Sequence, residues 1–140
     1  MVLCDRGKDG VVSRARRVPA TSSGPAIARS LVRRELADCE EEAVSLAELM
    51  ISEVVTNAVV HGSSPIDVEI QRTGDVLKAT VTDGGTGPPL PKNPGEHDPH
   101  GRGLLIVRSL AHEWGVLDAE RGKSVWFTVQ CRRAGHRSST

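Results

Sequence analysis

Glu53 and Asn57 stand four residues apart in the stretch Ser52-Glu-Val-Val-Thr-Asn-Ala-Val-Val-His-Gly62. On a helix that spacing sets a carboxylate and a carboxamide one turn apart on one face, a pairing that can supply a base and a metal ligand. Leu49, Ile51, Val54, Val55 and Val59 surround them. Both polar groups therefore lie at the edge of a buried stripe, where a carboxylate without a partner is costly. Asp83-Gly-Gly-Thr-Gly87 is a second grouping, directly after a predicted strand. A carboxylate at a strand end can accept a hydrogen bond from an exocyclic amine such as that of adenine. Gly85 and Gly87 can take positive φ or admit a ligand to the backbone. A third, Gly101-Arg-Gly-Leu104, opens a predicted helix and so offers backbone N–H groups and a positive dipole end to phosphate. Each grouping also has an ordinary reading: a solvated Glu/Asn pair, an Asp-Gly turn, a helix-entry loop. What weighs against three ordinary readings is that the groupings occur in one order, each on the element its chemistry needs.

Other residues add less. Neither Gly-x4-Gly-Lys-Ser/Thr nor a Gly-x-Gly-x-x-Gly between strand and helix occurs. His61, in the last turn of its helix, reads as a partner of the carbonyl ends. His97, Asp98 and His100 lack a fourth ligand and helical spacing, so no metal is assigned to them. Arg102 has two readings of equal weight, a phosphate ligand and a solvated side chain.

The elements that must position these groups follow from periodicity. Residues 1–10 are expected to be a flexible start, with a short edge strand over Val11 to Val18. Cap chemistry at Ser22, Ser23 and Pro25 precedes Ile27, Leu31, Val32 and Leu36 at helical spacing, giving a helix through about Ala37. A second helix follows the acidic run Glu40 to Glu42 and spans about Ser45 to His61, stopped by Gly62. Ile66, Val68 and Ile70 alternate with Asp67, Glu69 and Gln71, and a turn at Thr73 to Asp75 leads into Val76 to Thr82, an antiparallel hairpin. Residues 83–101 hold Pro88, Pro89, Pro91, Pro94 and Pro99, a long loop of functional length. A helix over about Leu104 to His112 and strands near Trp114 to Asp118 and Ser124 to Gln130 complete a domain over residues 11–131, with a disordered tail over 132–140. No strand-helix-strand repetition demands a parallel sheet. The expected class is α/β in the α+β sense: a two-layer sandwich, its sheet mixed and mostly antiparallel, with helices packed on one face.

The chain has 140 residues, 38% hydrophobic and 26% charged, which describes one globular domain. No uninterrupted apolar run approaches the roughly 20 residues of a membrane span, and the first residues carry no secretory pattern, so a cytoplasmic location and no membrane contact are expected. Cys4, Cys39 and Cys131 are too few and too scattered for a disulfide framework or a zinc site and read as reduced thiols. Basic and acidic residues balance at 18 each, and tyrosine is absent. Neither a polyanion-binding surface nor a base-stacking platform is expected, hence no direct nucleic-acid binding.

From Arg14 to Gln130 the ordered motifs resemble the GHKL (histidine kinase and Hsp90-like) ATPases, and among them the small anti-sigma-factor serine/threonine-protein kinases. Residues 52–62 look like the family's N-box, Asp83 to Gly87 like its Asp-x-Gly-x-Gly box, Gly101 to Leu104 like its second glycine box, and Gly122-Lys-Ser-Val-Trp-Phe127 like its last motif. The resemblance implies ATP and Mg²⁺ as ligands. It gives Asn57 the magnesium, Glu53 the role of general base, and Asp83 the adenine amine, above a floor shaped by Gly85 and Gly87. Gly101, Gly103 and Leu104 would lie on the phosphates, with Arg102 beside them and residues 88–100 as a lid. Ser124 stands where many relatives have threonine and would bond near adenine, through Asp83 or water. The implied activity is phosphorylation of a serine on an anti-anti-sigma factor, regulating transcription by partner switching with a sigma factor. Relatives often form homodimers through the sheet and first helix. The short stretch ahead of the first helix has no room for the phosphoacceptor hairpin of a histidine kinase core. The other reading is a non-catalytic ATP/ADP-binding regulatory module that sequesters a protein partner, and retention of Glu53 favours the enzyme.

Overall fold

A computed structural model describes residues 2–6, 12–84, 107, 110–119 and 122–133. Six strands, β1 (Val2–Arg6), β2 (Val12–Val18), β3 (Ile66–Thr73), β4 (Val76–Asp83), β5 (Glu113–Ala119) and β6 (Gly122–Gln130), form one sheet in the order β1-β2-β3-β4-β6-β5. Every pairing is antiparallel. Helices α1 (Ser23–Glu35) and α2 (Glu41–His61) lie on one face, α1 over β2 and β3, α2 over β3, β4 and β6. The expected two-layer architecture is present, and its sheet is antiparallel rather than mixed.

Alternation builds the sheet. Ile66, Val68 and Ile70 of β3, Leu77, Ala79 and Val81 of β4, and Val125, Phe127 and Val129 of β6 are buried toward the helices, while their neighbours in sequence face the open side. The β3–β4 hairpin turns at Gly74, whose φ of 60° suits only glycine comfortably. From α2, Val44, Ala47, Met50, Ile51, Val54 and Val55 meet this surface, and from α1, Ala28, Leu31 and Val32 do so, the stripes expected of amphipathic helices. By length and composition alone α2 is apolar enough to cross a membrane; in the fold it is the helix of the core.

Several boundaries differ from the sequence reading. Val2–Arg6, expected to be frayed, pair with β2 from Val2↔Arg16 to Arg6↔Val12, so β2 is an inner strand and not the edge. The α1 cap is not made by Ser22, which has helical φ and no side-chain cap bond. Thr21 does this work: its Oγ1 accepts from the Ser23 N–H at 3.3 Å and its carbonyl from the Gly24 N–H at 2.9 Å. The acidic run lies inside α2, with Glu41 and Glu42 in its first turn, so the helix begins four residues earlier than expected. Arg132 and Arg133, placed in the disordered tail by sequence, fold back: the Glu40 N–H donates to the Arg132 carbonyl at 2.8 Å, and Cys39 bridges Arg133. Of the helix expected over residues 104–112, Val107 and Leu110 are helical.

Candidate functional site

α2 delivers Glu53 and Asn57 half-buried. Their placement follows from how α2 is wedged. One flank of its buried stripe is taken by α1, where Arg29 donates to Ser52 Oγ at 2.8 Å and Arg33 to Glu48 at 2.7 Å. At about 100° per residue, Glu53 and Asn57 fall on the opposite flank, the side facing β6 and β5. Neither α1 nor α2 packs to any extent on β5, and on its helix side Trp114 and Val116 remain exposed. The pair thus borders a region of the sheet that α1 and α2 leave open.

Asp83 ends β4 on the helix side and is only 7% exposed. Burial of a carboxylate at a strand end is unusual for a turn residue, which would ordinarily be solvated. Its carboxylate lies against the C-terminal end of α2. A Cβ built on Gly62 would meet Asp83 Oδ2 at 2.7 Å and the Ala58 carbonyl oxygen at 2.7 Å. Gly62 has φ −91°, an angle any residue adopts, so glycine is there for the close approach and not as a left-handed helix stop. The connection after α2 clasps the same strand end: the Gly84 N–H donates to the Ser63 carbonyl at 2.7 Å, and Gly84 packs on Pro65 too closely for a side chain. Asn57 sits five residues before Gly62, about 7.5 Å back along the axis, and Glu53 about 6 Å further. Glu53 and Asn57 thus share one flank of α2, and the Asp83 carboxylate packs against the end of the same helix.

Ser124 does not join them. It lies directly opposite Thr82 in the β4–β6 register, and its hydroxyl bonds to Thr82 Oγ1 at 2.7 Å. Both face the open side of the sheet, the reverse of the face that holds Asp83, because adjacent strand residues point oppositely. The bond anticipated toward Asp83 goes to Thr82 instead. Gly85, Gly87, Gly101, Arg102, Gly103, Leu104, the expected lid and His97, Asp98 and His100 lie outside the described residues. Among the described residues no group of three or more histidine, cysteine, aspartate or glutamate side chains is disposed to hold a metal. The residue that sequence reasoning passed over is Gly62, since a glycine after a helix reads first as its stop.

The profile of the histidine kinase-like ATPase domain matches residues 18–129. Among solved structures, the RsbU and RsbW domains of Rv1364c from Mycobacterium tuberculosis superpose with TM-score 0.67 at 22% identity, over 91% of this chain and 34% of that one. The histidine kinase domain of the blue-light activated histidine kinase of Erythrobacter litoralis, EL346, gives TM-score 0.53 at 19% identity, over 91% of this chain and 65% of that one. A second structure of that kinase gives 0.54 at 22%, over 78% and 41%. The chain thus spans about a third of the first of these structures. No curated protein matches. With the N-box residues on α2, the Asp-Gly box at the end of β4, and the profile covering both, the chain belongs to the histidine kinase-like ATPase domain family.

Proposed function

We propose that the chain is an anti-sigma-factor-type serine/threonine kinase, cytoplasmic, which binds Mg-ATP and phosphorylates an anti-anti-sigma partner. Family membership supports nucleotide binding. The observation that supports the residue roles is the buried Asp83 carboxylate held against Gly62, at the end of the helix that carries Asn57 and Glu53. A shielded carboxylate at a strand end is what an adenine amine needs as acceptor, and hydrogen bonds to charged groups contribute about 1.5–3 kcal/mol.

In this reading Asp83 would accept from the adenine amine, Asn57 would hold the magnesium, and Gly85, Gly87, Gly101, Gly103 and Leu104 would line the nucleotide. Arg102 would stand beside the phosphates. Bound Mg-ATP supplies the phosphoryl group with its charge neutralised. Glu53 accepts the proton of the attacking serine hydroxyl, the task of a general base within hydrogen-bond reach. The likeness to a structure holding an RsbW domain supports action on a protein partner.

The test is calorimetric titration with ATP, with and without Mg²⁺, of the wild type and Asp83→Asn. Magnesium-dependent binding that weakens at least tenfold in the variant is expected. No binding by the wild type would remove the kinase reading, and binding without transfer to any serine-bearing partner would leave the regulatory module.

A further inference from the structure

Several arginines of the sheet and the first helix are paired with carboxylates, and among the described residues Arg16 is not. Arg14 pairs with Glu35 at 2.7 Å, Arg17 with Asp67 at 3.0 Å, Arg33 with Glu48 at 2.7 Å and Arg72 with Asp38 at 2.6 Å. Arg16 has no carboxylate among the described residues, and its Nε is buried with no hydrogen-bond partner. The cause lies in its position. It shares the helix side of the sheet with Val68, directly opposite on β3, and the flanking residues on that face of β3, Ile66 and Ile70, are equally apolar. A buried guanidinium N–H without an acceptor is costly unless something else supplies one.

Arg16 also lines a cleft of about 550 Å³ between the end of β2, the start of α1 and the connection after α2. Pro19, Ile27 and Pro65 give it apolar walls, and Ser64 adds a hydroxyl. Among its described lining residues the charged ones are Arg16 and Arg17, and Arg17 is already engaged by Asp67. The cleft is wide open to solvent, a shape suited to a peptide laid along the surface. The cleft is separate from the flank of α2 that carries Glu53 and Asn57.

We propose that this cleft docks an acidic peptide segment of a protein partner, a glutamate or aspartate carboxylate on Arg16 with an aliphatic neighbour against Ile27 and Pro19. The charge is complementary, and the apolar walls favour a peptide over a bare anion. The proposal rests on the chain acting on a protein partner, though not on phosphoryl transfer.

The experiment follows the Nε–H resonances of ¹⁵N-labelled full-length chain by NMR. The probes are acetyl-leucyl-glutamate amide, acetyl-leucyl-glutamine amide and inorganic phosphate. A saturable shift at Arg16 with the glutamate peptide is expected, at least tenfold weaker with the glutamine peptide and with phosphate. Arg16→Gln should abolish the accompanying Ile27 methyl shift, Arg16→Lys should weaken it, and Arg34→Gln, at an exposed position, should leave it unchanged. Equal binding of the two peptides, phosphate binding as tight as the glutamate peptide, or retention of binding in Arg16→Gln would each overturn the proposal. Should Arg16→Gln fail to fold, the wild-type comparison of the three probes decides alone. Mg-ATP titration of the same sample separates the two readings. Nucleotide binding without a peptide shift overturns the cleft alone, and a peptide shift without nucleotide binding overturns the nucleotide site alone.

Discussion

Asp83 is held where it is by the absence of one methyl group. A side chain on Gly62 would begin 2.7 Å from Asp83 Oδ2 and 2.7 Å from the Ala58 carbonyl oxygen, well inside van der Waals contact. Gly62→Ala must therefore move the carboxylate or the end of α2. Because φ at Gly62 is −91°, the penalty comes from contact and not backbone strain, and overpacking of this kind costs about 1–3 kcal/mol. The expected result is an ATP affinity at least tenfold weaker with the fold retained, read by calorimetry and thermal melting; unchanged affinity would detach Asp83 from the nucleotide. Glu53 and Asn57 separate differently. Glu53→Ala should keep Mg-ATP binding and lower transfer by about 10²–10⁴, the range of a general base, whereas Asn57→Ala should lose the magnesium-dependent part of binding. Wild-type transfer in the Glu53 variant would undermine the assignment. The placement of Glu53 and Asn57 on one helix and of Asp83 at a strand end was legible from residue type and spacing. The role of Gly62 was not, because its partner is distant in sequence and a glycine after a helix already has a local reason to be there.

Between elements, the tie that closes the layers at the far end of the sheet is Arg72 of β3 with Asp38, just after α1. Arg72 donates to Asp38 Oδ1 at 2.6 Å and to the Glu35 carbonyl at 3.1 Å, so it serves the carbonyl end of α1 as well as a carboxylate. Hydrogen bonding from Arg72 holds the Asp38 carboxyl below its ordinary value of 3.8, against the opposing effect of burial. A depressed carboxyl contributes stability that is present above the ordinary value and lost as pH falls through the folded value. Asp38 is largely exposed, with side-chain accessibility 53%, so the contribution is small, about 0.2–1 kcal/mol. Asp38→Asn should lower unfolding free energy by that amount at pH 7, and the difference from wild type should shrink as pH falls below 3.8, as measured by urea denaturation across pH. A difference unaffected by pH would remove the ion pair from the account. Elements were legible where a pattern is local: alternation found β3 and β4, and helical spacing found α1 and α2. β1 escaped because strand character in Val2–Arg6 rests on pairing with β2, which no local pattern records. The start of α2 escaped because Glu41 and Glu42 are stabilised inside its first turn, by the dipole and, for Glu41, by Arg33.

Over the whole molecule, the chain's described end is pinned into the helical layer, so sheet and helices should come apart together. Cys131, directly after β6, is fully buried, and the Cys39 Sγ–H donates to its carbonyl at 3.7 Å. The Cys131 N–H donates to the Asp75 carbonyl at 2.6 Å, tying the same point to the β3–β4 turn. Burial, and then the neighbouring Cys39, pushes the Cys131 thiol from 9.0 up to about 12. Since the raised value belongs to the folded state, the stability it contributes is complete below pH 9 and is lost as pH rises toward 12. At pH 8 the folded thiol is thiolate at only about one part in 10⁴, and the thiolate is the nucleophile. Iodoacetamide should therefore label Cys131 only through unfolding. Across a urea series at pH 8, labelling of Cys131 measured by mass spectrometry should rise with the same midpoint as loss of helical circular dichroism. Labelling well below that midpoint would mean that the end of β6 detaches by itself and that the two layers are not one cooperative unit. Coincidence would mean that the strands, the helices and the nucleotide face between them are lost in one transition, so Mg-ATP, binding only the folded form, should shift both curves together.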